Sequence, residues 1–242
     1  MAGNAESRGT PEARVAALAK RYGLPSRAVT QLRAFHRLLV EDPLAPTAIR
    51  DPLKAVDDHL ADSLVGLEFE AVRDARRLAD IGSGAGLPGL PLAIALPEAR
   101  VALVESASRR SAFLERAVAA AEATNAVVVN ARAEAWPEGI AAFDVVTARA
   151  LAPLPVVAEY AAPLLLVGGV LVAWRGKRNP RDEDAAVRAA AQTGLEPIEI
   201  RHMQPFPGAE HRYLHLMSKV TETPLGFPRR PGMALKRPLG AS

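Results

Sequence analysis

Three glycines at alternate positions stand in the run Asp80-Ile-Gly-Ser-Gly-Ala-Gly86, which Leu87-Pro88-Gly89 follows. The run lies between a short apolar segment and a helical one, where glycine lets the backbone turn sharply and approach a ligand closely. The helix N-terminus behind it adds free amide donors. Such turns also serve purely structural ends, so the next acid matters. Glu105 ends the following apolar run, at the carboxyl edge of a strand, where a carboxylate accepts both hydroxyls of a ribose. Gly82, Gly84, Gly86 and Glu105 therefore read as the seat of an adenosine cofactor, the structural alternative being a surface Glu beside a helix turn. Dinucleotide sites use GxGxxG to admit a pyrophosphate. The tighter GxGxG spacing here favours S-adenosylmethionine, which has no phosphate to cradle.

Cations form the second set. Arg149 and Arg175 close the fourth and fifth apolar runs, at strand ends where open parallel sheets bind ligands. With Arg212 and His59 they are the candidate catalytic residues; a buried ion pair for Arg149 and a solvated rim for Arg175 are the structural alternatives. His59 and Asp62, three apart on a helix, share a face and either orient each other for chemistry or form a structural hydrogen bond. Arg50, Lys177, Arg178, Arg229, Arg230, Lys236 and Arg237 are cations suited to the phosphates of a polyanionic partner. Trp136, Trp174 and Tyr213 read as core fillers before stacking platforms. His211 and His215 have no further ligand near them, so no metal site is expected.

The elements that must position these residues follow from periodicity. Helices are expected over 11–22, 26–41 and 54–70, the last with Val56, Leu60, Leu64 and Leu67 as one apolar stripe. Strands are expected over 78–81, 101–105, 126–130, 143–148, 170–175, 196–203 and 212–219, with helices over 88–95, 109–123, 154–166 and 183–193. Alternation of this kind builds a mostly parallel sheet with helices on both faces. The last two strands have only a Pro/Gly connection between them and form an antiparallel pair. The expected fold is α/β, Rossmann-like and seven-stranded, with an N-terminal helical appendage over 1–76, the sheet domain over 77–226 and a basic tail over 227–242.

The 242 residues contain no cysteine, which excludes disulfides, thiolate metal sites and cysteine nucleophiles and fits a cytoplasmic chain. Glu6, Arg8, Glu12, Arg14 and Lys20 interrupt the N-terminus, so no export signal is expected. The apolar stretch 150–174 is broken by Pro153, Pro155, Pro163 and Gly168-Gly169, and reads as a buried helix, turn and strand instead of a membrane span. From Phe227 onward there are four bases and no acid; removing those four from the chain's 30 leaves 26 against 27 acids. A basic tail on a near-neutral body suits a polyphosphate partner, or else is a solvated end.

The stretch DIGSGAGLPGLPLAIALPEARVALVES, the element Arg50-Asp51-Pro52 with His59 and Asp62-Ser63 downstream, then Arg132-Ala133-Glu134, Arg149-Ala150 and Arg212, resemble the rRNA small-subunit methyltransferase G family, also called glucose-inhibited division protein B. The resemblance implies S-adenosylmethionine-dependent methylation of a guanine N7 in 16S ribosomal RNA, on naked RNA or the 30S subunit, by a monomer with no membrane partner. It implies cofactor contacts at Gly82, Leu87, Ala133, Glu134 and Arg149. Glu105 stands where the family often has Asp, and Arg175 where it often has Lys. Two other readings are a methyltransferase of proteins or small metabolites, and a cofactor- and RNA-binding protein without catalysis.

Overall fold

The computed structural model describes residues 9–240; Glu6 and Arg8 lie outside them. Helices α1 (Pro11–Arg21) and α2 (Ser26–Glu41) lead to α3 (Pro52–Ala55), a π-helical turn (Val56–Ala61), α4 (Asp62–Leu64), a 3₁₀ turn (Val65–Glu68) and α5 (Glu70–Arg73). Thereafter come β1 (Arg77–Ile81), α6 (Gly89–Ala95), β2 (Arg100–Val104), α7 (Ser108–Ala120), β3 (Ala126–Val129), β4 (Phe143–Arg149), α8 (Leu154–Ala161), β5 (Leu165–Arg175), α9 (Pro180–Thr193), β6 (Leu195–His202), β7 (Tyr213–Lys219) and α10 (Met233–Lys236).

The sheet runs β3-β2-β1-β4-β5-β7-β6. Pairings are parallel from β3 to β5, and β7 lies antiparallel between β5 and β6. The order reverses between β1 and β4, the place where open α/β sheets bind ligands at their carboxyl ends.

The two-residue strand period assigns the two cores. Leu78, Val101, Leu103, Val145 and Val172 face one side, with Leu32, Phe35, Leu60, Leu64, Leu90 and Phe113 from the helices. Ala79, Ile81, Val104, Val146 and Leu171 face the other, with Val156, Val157, Ala186 and Ala190. The N-terminal helices thus share a core with one face of the sheet, and the stripe Val56, Leu60, Leu64 and Leu67 is fully buried there.

Three segments depart from the periodic reading. The expected helix over 54–70 is broken into α, π and 3₁₀ pieces, although its apolar stripe stays in one core. Gly168-Gly169 does not separate a helix from a strand but lies inside β5, whose partner β4 shifts register between Phe143 and Val145. A Cβ on Gly169 would stand 2.8 Å from the Asp144 carbonyl, so glycine there permits close strand approach. The tail is no solvated end: Ala234 is buried, α10 packs on α8, and Arg188 donates to the Gly240 carbonyl at 2.7 Å.

Candidate active site

The glycine turn leaves β1 with Gly82, Gly84 and Gly86 all at positive φ, which L side chains adopt only at a cost. Asp80, fully buried, holds the turn from beneath. Its carboxylate accepts from the Ser83 hydroxyl at 2.6 Å, the Gly89 amide at 3.1 Å and the Thr147 hydroxyl at 2.8 Å. Burial pushes its pKa up to about 6, against those three donors. Gly89 has no choice of residue, since a Cβ would stand 2.6 Å from that of Asp80.

Glu105 follows β2 and is almost wholly buried. One oxygen accepts the Gly84 amide at 3.1 Å and the other the Ala107 amide at 2.8 Å. A carboxylate has about four lone-pair sites, so each oxygen keeps acceptor capacity. Val104 and Ser106, on either side of it, line a pocket with Gly82, Ala133, Glu134 and Leu151. Glu134 lines this pocket and Glu105 lies just behind it, between two lining residues; carboxylates so placed accept from ribose hydroxyls or an exocyclic amine and oppose a pyrophosphate. The residues fit S-adenosylmethionine. The Leu87 side chain is buried in the helix-side core.

A larger cavity of about 510 Å³ adjoins, within the usual 300–1,000 Å³ of ligand sites. His59, Asp62, Arg149, Arg175, Lys177 and Arg212 all face it. Arg149 and Ala150 line this cavity whereas Leu151 and Ala152 line the pocket, so residues 149–152 are a common wall. Ala150 sits there at φ +53°, a strained setting for a residue with a Cβ and one that clusters at functional sites. The implied cofactor contact of Arg149 therefore falls on the cavity side of that wall.

Here the ionic contacts are dense. Arg149 donates to Asp62 at 2.6 Å and to the Asp58 carbonyl at 3.1 Å. Arg212 reaches Asp62 at 3.1 Å and Asp58 at 2.9 Å, and Asp58 also pairs with Lys54. His59 and Asp62 both line the cavity but are not hydrogen-bonded to each other, each having other partners. His59 Nε2 lies 2.8 Å from the Thr47 hydroxyl, and its buried Nδ1 has no hydrogen-bond partner among the described residues. Burial, then the charge of Arg149, pushes the His59 pKa down to about 4, so the ring is neutral at pH 7. Trp174 is a buried core residue, as expected, whose indole also donates to the Asp62 carbonyl at 2.7 Å where it borders the cavity, as does Tyr213.

Other cations are held elsewhere. Arg50 donates to the carbonyls of Leu39, Asp42 and Ala45, satisfying the C-terminus of α2. Arg178 is bidentate to Glu183, and Arg229 is bidentate to Glu159. Arg175 stays on the cavity but pairs with Asp182 at 2.8 Å. Lys177 lines the cavity, and Arg230, Lys236 and Arg237 are exposed. The sequence reading missed Asp58, Asp80, Thr147 and Leu235. Asp80 had a signal in its place at the head of the glycine run; the others depend on contacts between elements distant in sequence.

A switch-point sheet with an antiparallel seventh strand, and a glycine turn whose amide is bound to the acid ending β2, define an S-adenosylmethionine-dependent methyltransferase. In fold, the chain is similar to an S-adenosylmethionine-dependent methyltransferase from Aquifex aeolicus (TM-score 0.56, 12% identity, covering 69% of this chain and 93% of that one). The family model for rRNA small subunit methyltransferase G matches residues 29–208. The chain is 41% identical over 196 residues to ribosomal RNA small subunit methyltransferase G of Rubrobacter xylanophilus, covering 78% of this chain and 75% of the relative. It is 42% identical over 202 residues to the protein of that name from Roseiflexus castenholzii, covering 80% and 83%. The chain belongs to the rRNA small subunit methyltransferase G family.

Proposed function

We propose that the chain transfers the methyl group of S-adenosylmethionine to N7 of a guanine in 16S ribosomal RNA, as a monomer in the cytoplasm. The observation that carries the choice of atom is the protonation chemistry of the cavity. Asp58 and Asp62 are both tied to guanidinium groups, burial raising the Asp62 pKa against their pull, and His59, with its pKa near 4, is a feeble base. A hydroxyl or exocyclic amine would need a base to take its proton. Guanine N7 has an in-plane lone pair and no proton, so positioning alone suffices.

S-adenosylmethionine supplies a methyl group on a positively charged sulfur. Gly82, Gly84, Gly86, Glu105, Ala133 and Glu134 seat its nucleoside. An extruded base enters the larger cavity, where Tyr213 offers a ring face. Arg149, Arg175 and Arg212 set its position. Lys177, Arg230, Lys236 and Arg237 meet backbone phosphates, whereas Arg50, Arg178 and Arg229 keep structural partners. In this scheme the described part of the appendage, residues 9–76, forms the helical side of the cavity, 77–226 the catalytic domain, and 227–240 the tail.

The test is incubation with methyl-labelled cofactor and either naked small-subunit RNA or 30S particles, then digestion to nucleosides. Label migrating with 7-methylguanosine is the expected result. Label in another nucleoside, or in none, contradicts the proposal.

A further inference from the structure

We propose that the C-terminal strap, residues 227–240, is the outer wall of the adenosine subsite, with Leu235 the side chain that closes it. The inference rests on the reading of the pocket at Gly82 and Glu134 as that subsite.

Every other residue lining that pocket comes from the sheet's carboxyl edge, the segments that follow its strands, or Tyr160 of α8, but Leu235 arrives from the far end of the chain. Its environment is unlike that of a leucine that holds a fold together. Its neighbour Ala234 is 2% exposed and anchors α10, whereas Leu235 is 54% exposed with its apolar side chain at the pocket. Ala133, Leu151 and Val104 complete the apolar lining. A flat, largely apolar adenine ring is the kind of ligand such a lining would cover.

The strap is fastened at this site as well as to α8 and α9. Gly232 turns at φ +79° and directs its amide to Glu134 Oε1 at 3.1 Å. Glu134 itself lines the pocket. Upstream, Arg229 grips Glu159, a buried acid on α8, next in sequence to Tyr160 of the pocket wall. Downstream, Arg188 holds the Gly240 carbonyl. Leu235 thus sits between fixed points. With the strap in place the pocket measures about 140 Å³, below the usual ligand-site range of roughly 300–1,000 Å³. The strap therefore yields as the nucleoside enters and packs back against it, so cofactor uptake and strap ordering are coupled.

The full-length protein and its Leu235→Ala variant test this by calorimetric titration with S-adenosylmethionine and with S-adenosylhomocysteine. The exposed position leaves folding intact, which an unchanged Tm checks. Loss of the leucine contact weakens both ligands by about tenfold, equally because both carry adenosine. RNA affinity stays the same. Hydrogen exchange supplies a second readout: wild-type amides over 230–240 gain protection when S-adenosylmethionine is added, and lose that gain in the variant. Unchanged affinity, or tighter binding that would make the strap a plug, overturns the inference. Failure of the wild-type protein to bind either ligand would instead remove the adenosine reading on which it depends.

Discussion

Asp62 lies between two guanidinium groups, 2.6 Å from that of Arg149 and 3.1 Å from Arg212 Nε, and so joins the π-turn region to the ends of β4 and β7. Removing one partner from a buried ionic cluster leaves the others uncompensated, at a cost of about 3 kcal/mol. Asp62→Asn should lower the Tm by roughly 6–10 °C and reduce methyl transfer more than cofactor affinity. Calorimetry and single-turnover assays measure the two effects. An unaltered Tm with full transfer would show that the cluster does not organise the cavity.

Gly84 is a sharper probe of the turn. Its Cβ position meets nothing closer than 3.7 Å, yet its φ is +57°, so valine is costly by about 1–3 kcal/mol for backbone strain and fills space beside Glu105. Gly84→Val should retain its far-ultraviolet circular dichroism while losing detectable S-adenosylmethionine binding. Wild-type affinity in the variant would take the turn out of the site.

His59 gives a pH signature. Its folded pKa of about 4 lies below the usual 6.5 or so, so the unfolded state binds the proton first. The stabilisation from the neutral buried ring is complete above pH 6.5 and is lost as pH falls towards 4, by no more than about 3 kcal/mol. Chemical denaturation across that window should show a smaller slope for His59→Gln than for the wild-type protein. Identical slopes would mean that the ring titrates normally.

Much of this was legible from local pattern. The glycine run, Glu105 at the end of β2 and the Pro/Gly link that makes β6 and β7 antiparallel all act over a few residues. The fate of each cation was not. Arg50, Arg178 and Arg229 look like phosphate binders by charge alone, but each finds a carbonyl or carboxylate brought near by folding, and Arg229 finds one 70 residues away. The His59 and Asp62 pair shares the cavity but not a hydrogen bond, because Thr47 takes the ring and Arg149 and Arg212 take the carboxylate. Leu235 carried no signal at all, since an isolated leucine in a basic tail acquires meaning only from the pocket it reaches.

That division predicts a contrast. Lys177→Ala should weaken RNA binding and lower the salt slope by about 1 with an unchanged Tm. Arg50→Ala should lower the Tm, through its lost bonds to α2, while leaving the salt slope as it was. Filter binding over a range of salt, with thermal denaturation of both variants, distinguishes them; exchanged behaviours would reverse the two assignments.

Cofactor binding depends most on the seat formed by the glycine turn and Glu105. Calorimetric titration of the folded wild-type protein with S-adenosylmethionine, beside Glu105→Ala, measures it directly. Saturable one-site binding in the wild type that falls by at least about tenfold in the variant, as expected for lost bonds to a charged acceptor, is the predicted result. Absence of binding in the wild type, or equal binding in both, would contradict it.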